Sequence, residues 1–456
     1  MGNFVEISSD SIFKAVYEGC RQANAFLPAE IYSDLKKLAS AGLENEQKMT
    51  KIFSNAYIAG QNMRPLCQDT GQVVVFCYVG KNVILDDLPQ NIINSAIETC
   101  YRDNFLRKSV VKDAVFDRKN TNTNTPAVIY TELTDDDEIR LDILLKGGGA
   151  ENMSALKMFN PSASEREIFD FVLETVKNAG ENACPPLFLG IGAGGTADYA
   201  AILSKKAFFK NENDEFTSRL KNYINKNSSA KAAGVSIMTA QTHIACLPVF
   251  VTVNCHSNRH VSVLVKNDGY KILTDFAKPE TCEYKNDNLK EIFVEDKNAF
   301  SKLKTGEEIL LSGTIYTARD MAHARLAGII EKGGDLPFDL KNAIIFYAGP
   351  CPKNETEIIG PVGPTTSKRM DKFAPVLYDN GVLASIGKGG RSEEVKKSVE
   401  KNGAFYFTVQ GGVAALLQSC IKSAEIAAFE DLGTEAVFKL EVEKLPVKLE
   451  IGGRNE

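Results

Sequence analysis

The spacing of hydrophobic positions changes several times along the chain, and each change marks an element. Through the first sixty residues the spacing is helical. Ile12, Phe13 and Val16 share one face behind a cap at Ser9 or Asp10, and Ile31, Leu35 and Leu38 share another after Pro28. At Val73, Val75, Cys77 and Val79 the period drops to two, which predicts a strand. Ile92, Ile93 and Ile97 return to helical spacing, in a helix expected to run on toward Arg107. The polar run Lys119 to Thr125 reads as a loop. Ile139, Leu141, Ile143 and Leu145 alternate as a half-buried strand that runs into Lys146-Gly147-Gly148-Gly149-Ala150-Glu151-Asn152. Ser164 and Glu167 form a capping box ahead of Ile168, Val172 and Val176, and Gly180 closes that helix. Two apolar stretches around Thr242-His243 fill Gly234 to Val253.

Polarity rises from Thr281 to Lys304, centred on the run from Lys285 to Lys290, and a domain boundary is placed there. Residues 1–285 form one domain and 295–456 a smaller second one. Beyond the boundary the pattern alternates regularly. Strands are expected near Ile309–Tyr316, Ala343–Ala348, Leu383–Ile386 and Phe405–Val409, with helices from Arg319, Thr366, Ser392 and Gly412. The fold class is α/β: a mixed N-terminal domain plus a C-terminal α/β layer structure. In such layers ligands bind at the carboxyl ends of strands. Three basic loops fall there: Thr317 to Asp320, Gly360 to Arg369, and Gly387 to Arg391. At helix N-termini they describe an anion pocket; solvated surface charge explains one such loop easily and three poorly.

Composition narrows the classes. The chain has 456 residues, 44% of them hydrophobic, and a net charge of −6, which gives no electrostatic footprint for nucleic acid. No apolar run is long enough to span a bilayer. Met1 to Leu27 lacks a basic leader followed by an apolar run, and Glu6 stands where a myristoylation signal needs Ser or Thr. A soluble, cytoplasmic protein is expected. Ten cysteines in that setting read as thiols, catalytic groups or metal ligands rather than disulfides, and no CxxC pair marks a zinc ribbon.

Candidate chemistry gathers at a few stretches. Arg64-Pro65-Leu66-Cys67-Gln68-Asp69-Thr70-Gly71 sets a thiol, an amide, a carboxylate and a hydroxyl on the lip of a strand. Its bland alternative is a loop with a buried cysteine. Gly190, Gly192 and Gly195 match GxGxxG, so a dinucleotide-binding turn is a rival reading. The acidic ribose partner about 20 positions on is missing, because Lys210 to Glu215 is a charged loop after a helix. His256 and His260 have H-x3-H spacing beside Cys255, so zinc is considered, but no fourth ligand adjoins them. Three of the four histidines lie between residues 243 and 260.

Taken together, these stretches resemble the class I, iron–sulfur-dependent fumarate hydratases and the related L-tartrate dehydratases. The matching segments are RPLCQDTGQ (64–72), KGGGAEN (146–152), ACPPLFLGIGAGGTAD (183–198), NCHSNRH (254–260), SGTIYTARDMAHAR (312–325), YAGPCP (347–352), GPVGPTTSKRMD (360–371) and GKGGR (387–391). Some members divide this length into α and β subunits; here both halves share one chain. The resemblance implies a 4Fe-4S cluster on Cys67, Cys184 and Cys255, with one iron open to substrate. It places Gln68, Arg107, Gly148, Arg319, Arg369 and Lys388 around a small dicarboxylate. It gives Thr365 and Asp69 the proton chemistry, with His243 orienting Asp69 or the bound hydroxyl. An N-cap is the bland alternative for Thr365. The second domain would be a swivelling domain that supplies substrate clamps, with the site between the domains, and the assembly a homodimer. The expected reaction is reversible hydration of fumarate to L-malate. Tartrate or a methylated fumarate is the nearest alternative, and a nicotinamide oxidoreductase or a cluster-bearing regulatory protein the distant ones.

Overall fold

The computed structural model describes residues 4–210, 214–284 and 288–454. Met1 and Gly2, and parts of the polar runs at 210–215 and 285–290, lie outside the described residues. The chain divides into two compact units, Met1–Cys282 and Glu283–Glu456. Both mix helices and sheets, so the class is α/β. Among the described residues no helix is long and apolar enough to cross a membrane.

The first unit is built on two larger sheets, with a two-stranded parallel pair of Val5–Ile7 and Val83–Leu85 besides. A five-stranded sheet runs in the order Gly269–Ile272, Arg259–Lys266, Ile139–Lys146, Gln72–Gly80, Val128–Thr134. The helices Ser9–Ala25 and Pro89–Asp103 pack on it, and Val16, Cys20, Ile93, Ile97, Val75 and Ile143 fill one core. Strand Ile139–Lys146 was expected to be half-buried, yet Asp142 and Leu144 on its other face are buried too. Asp142 is tolerated there because it accepts from Ser262 Oγ (2.6 Å) and Arg140 Nε (3.0 Å). The second sheet, in the order Ala155–Phe159, Leu247–Asn254, Leu187–Gly195, Ala232–Thr242, has its own core around Val172, Val176, Leu189 and Val251.

Several boundaries differ from the sequence reading. The first helix is capped by Ser8, whose side chain accepts from the Ser11 N–H, not by Ser9 or Asp10. The helix expected to approach Arg107 stops at Asp103, where the side chain of Asn104 turns back to the Cys100 carbonyl (2.9 Å). The capping box at Ser164 and Glu167 is present in both directions, and Gly180 is the C-cap. Gly190 and Gly192 are not in a phosphate turn. They lie inside the strand Leu187–Gly195, where an added Cβ would come within 2.0 Å of the Ser204 and Ala200 carbonyl oxygens. Those oxygens belong to the helix Ala197–Lys206, so the glycines exist to let a helix lie close on a sheet.

The second unit has one seven-stranded sheet with a parallel centre: Glu308–Thr317, Ile344–Phe346, Ala384–Gly387, Phe405–Thr408. The long strand Val437–Ile451 pairs antiparallel with both Phe405–Thr408 and Glu308–Thr317, closing the pairing on itself and leaving fewer edges. The helix expected from Thr366 is a 3-10 turn, Ser367–Met370, followed by the short helix Ala374–Asp379. The one expected from Gly412 spans Ala414–Ser419.

Candidate active site

The Cys67 turn is held from several directions. Helix Glu46–Asn62 ends at Met63 in the left-handed region (φ 48°), which turns the chain sharply. Leu66 is then bolted on both sides of its peptide: its N–H donates to the Asn24 carbonyl (2.9 Å), and its carbonyl accepts from Asn55 Nδ2 (3.0 Å). Beyond the turn, Gly71 has φ +85°, and a Cβ there would meet the Leu145 and Lys146 backbone at 2.9 Å. The buried Tyr101 hydroxyl donates to the Thr70 and Gly71 carbonyls (2.9 and 3.2 Å), so their acceptors stay satisfied.

This bracing brings functional groups together. Asp69 Oδ2 accepts from the Gly148 N–H (2.9 Å), and Arg107 Nη2 lies 3.7 Å from Asp69 Oδ1. The Asp69 carbonyl accepts from Arg259 Nη2 (2.5 Å). The Cys67 thiol donates to Gln68 Oε1 (3.4 Å). Thus Gln68, Asp69, Arg107 and Gly148 form one connected group around Cys67.

Cys184 and Cys255 arrive from the second sheet. Cys184 has φ 54°, between the 3-10 turn Gly180–Ala183 and the strand Leu187–Gly195. Its carbonyl accepts from the His256 N–H (3.3 Å) and lies 3.1 Å from His256 Nδ1. His260 turns elsewhere, with Nε2 3.0 Å from Glu30 Oε1. The H-x3-H pair therefore diverges and does not converge on one ion. Cys255 follows the strand Leu247–Asn254, with Sγ 3.3 Å from Ser257 Oγ. Burial pushes the Cys67 thiol up to about 12; Arg259 pulls it down, while Cys255, Asp69 and Cys184 add to the rise. Cys67 thus feels the charge of both other thiols.

Among the described residues, no three His, Cys, Asp or Glu side chains close on one point as ligands of a single ion would. Thiolates that each hold a separate iron corner of a cluster need not do so. Cys67 and Cys184 are buried and Cys255 is partly exposed, so the donors are soft thiols on braced backbone with one open side. Three thiols are the kind of donor an iron–sulfur cluster takes. His243 is exposed in the turn between Ala232–Thr242 and Leu247–Asn254, where its Nδ1 accepts from the Ala245 N–H (3.1 Å).

The second unit gathers Thr365, Arg369 and Lys388. Thr365 donates its N–H to the Tyr347 carbonyl (2.7 Å) and accepts from the Lys388 N–H (3.3 Å) at its own carbonyl. Its hydroxyl accepts from Arg369 Nη1 (3.0 Å) and caps no helix; Thr366 occupies the N-cap. Gly387 lets these loops cross, because a Cβ there would sit 2.0 Å from Ser367 Oγ. Arg369 also grips Asp320 in a fork (3.0 and 2.6 Å). Arg319 precedes the helix Asp320–Glu331, with Nη2 3.3 Å from Glu435 Oε1. Gly349 makes room for it, since a Cβ there would lie 2.9 Å from Arg319 Cδ.

Sequence reasoning missed the acids Asp320 and Glu435 that pre-pair the two arginines. It also missed Asn24 and Arg259 behind the Cys67 turn. Arg259 lies in NCHSNRH and was legible as part of that segment; Asn24 carries no signal in its own helix.

Fold and site define a two-unit α/β chain that groups three thiols with an acid and an arginine in one unit and sets cationic loops at strand ends in the other. Residues 13–264 match the family described as Fumarate hydratase (Fumerase), and residues 262–454 match Fumarase C-terminus. "Fumarate hydratase 1, mitochondrial" of Leishmania major is 30% identical over 438 residues, covering 87% of this chain and 79% of that protein. "Fumarate hydratase class I, anaerobic" of Escherichia coli is 28% identical over 448 residues, covering 88% and 81%. "Putative L(+)-tartrate dehydratase subunit alpha" of Methanocaldococcus jannaschii is 35% identical over 282 residues, covering 56% of this chain and 98% of that protein. The chain belongs to the fumarate hydratase family.

Proposed function

We propose that this chain is a hydro-lyase that interconverts fumarate and L-malate. The observation that carries the reading is the joining of Asp69, Gly148 and Arg107 beside Cys67, in a chain of the fumarate hydratase family. Cys67, Cys184 and Cys255 would hold a 4Fe-4S cluster, which when bound supplies a Lewis-acidic iron for the hydroxyl that leaves or attacks.

The chain's own residues do the rest. Arg107, Arg319, Arg369 and Lys388 neutralise the two carboxylates, and Gln68 and the Gly148 N–H supply neutral donors. Asp320 and Glu435 keep the two arginines paired and extended before substrate arrives, so substrate exchanges one carboxylate partner for another. Arg369 donates to Thr365 Oγ1, which directs the threonine proton away and stabilises an alkoxide. Thr365 then moves the proton at the substrate carbon that does not carry oxygen, with Asp69 as the opposing acid or base. His243 orients Asp69 or the bound hydroxyl. Water is added or removed without net oxidation. A homodimer is the assembly this reading expects.

The experiment is anaerobic reconstitution followed by product assays with fumarate, L-malate and L-tartrate. Iron and sulfide in equal amounts, with fumarate hydration, support the reading. The 35% identity to a protein named a tartrate dehydratase subunit favours L-tartrate as the second substrate to try. Zinc that depends on His256 and His260 would overturn the cluster assignment.

A further inference from the structure

Arg259 is a buried charge that the roles above leave without a task. It opens the strand Arg259–Lys266 and is 2% exposed. Its register partner is Leu145, one residue from the end of Ile139–Lys146, so it lies beside the turn that follows. A Cβ on Gly147 would fall 4.0 Å from Arg259 Nη2 and 3.4 Å from Asp69 Oδ2. Nη2 donates to the Asp69 carbonyl (2.5 Å), Nη1 donates to Asn24 Oδ1 (3.2 Å), and Nε has no acceptor. Both acceptors are neutral. The ion pair of Asp69 is with Arg107, and among the described residues Arg259 forms none with a carboxylate.

A guanidinium taken out of water without an anion is costly, so a folded chain keeps one where an anion will come. Lys146, another buried cation nearby, is already engaged. Lys146 Nζ donates to the Val253 carbonyl (2.7 Å) and lies 3.3 Å from Glu151 Oε2. Asp69 stands two residues after Cys67, so the bond to its carbonyl sets the guanidinium at the turn that carries that thiol.

We propose that Arg259 is the counter-cation of the three-thiol group: a positioning residue that offsets the charge Cys67, Cys184 and Cys255 carry as ligands and pins the turn bearing Asp69. This rests on the reading of those cysteines as cluster ligands.

A thermodynamic cycle separates this role from a merely structural one. Thermal midpoints are measured without oxygen, with and without iron and sulfide, for the wild-type protein, R259M and R259K. The increment gained on loading should shrink clearly in R259M, and its iron and sulfide per chain should fall several-fold. Any cluster that R259M retains should have a lower reduction potential, because adding an electron beside a lost positive charge is harder. R259K keeps the charge and should keep most of the increment. If loaded and unloaded midpoints of R259M fall equally, Arg259 is a bolt and the proposal fails. If R259M does not fold, R259K decides, since an increment lost with the charge still present also overturns it. Wild-type protein that takes up no iron and sulfide would instead refute the ligand assignment itself.

Discussion

Residue by residue, the proposed roles separate binding from proton transfer. On the proposed role, Arg319 holds a carboxylate in substrate and transition state alike, so Arg319→Ala should raise KM roughly 100-fold or more, with kcat less affected. Thr365 and Asp69 are proposed to move protons, so Thr365→Ala and Asp69→Asn should lower kcat about 100-fold or more with smaller changes in KM. Steady-state kinetics at verified iron content checks both. Normal turnover in Thr365→Ala would leave the proton chemistry to Asp69 and His243. Among the thiols, Cys67→Ala, Cys184→Ala and Cys255→Ala should each lose iron and sulfide, whereas Cys77→Ala, Cys246→Ala and Cys420→Ala should keep them. The candidate ligand cysteines were read from segments such as RPLCQDTGQ and ACPPLFLGIGAGGTAD. What Arg369 is bound to was not: Asp320 lies far from it in sequence, and a fork between two loops has no local pattern.

At the scale of elements, two features make measurable claims. Helix Asp320–Glu331 buries His323, whose Nδ1 is 3.0 Å from the Arg319 carbonyl. Burial lowers its pKa to about 4. The unfolded chain therefore takes the proton first as pH falls below about 6.5. Stability present above that value is lost progressively down to about pH 4, by up to about 3 kcal/mol. His323→Leu should flatten this acid limb in urea unfolding measured at each pH. In the first unit, Gly192→Ala should cost about 1–3 kcal/mol or more, since its Cβ would strike the Ala200 carbonyl oxygen at 2.0 Å. Gly328→Ala is the control: nothing lies within 4 Å, and the helix should gain about 0.5–1 kcal/mol. Thermal melts distinguish the two. The same packing argument predicts no NAD or NADP binding at Gly190 to Gly195 by calorimetry.

For the whole molecule, the division of labour has its own test. All three thiols belong to Met1–Cys282, while Arg319, Thr365, Arg369 and Lys388 belong to Glu283–Glu456. Arg319→Ala and Arg369→Ala should therefore leave iron and sulfide content unchanged while weakening substrate; loss of iron in either would contradict the division. The sequence by itself determined what is periodic or local. The strand Gln72–Gly80, the capping box at Ser164, the β/α alternation after residue 308 and the composition of the site segments were all legible, because each depends on neighbours within a few residues. The strand Val437–Ile451 was not, since Pro446 and the positive φ of Lys444 interrupt its alternation. Only the tertiary structure decided that Gly190 and Gly192 serve packing, that His256 and His260 point apart, and that Arg259 lies buried behind Asp69. Each of these is a contact between distant segments, and a linear pattern of hydrophobic and polar residues specifies faces, not the partners those faces meet.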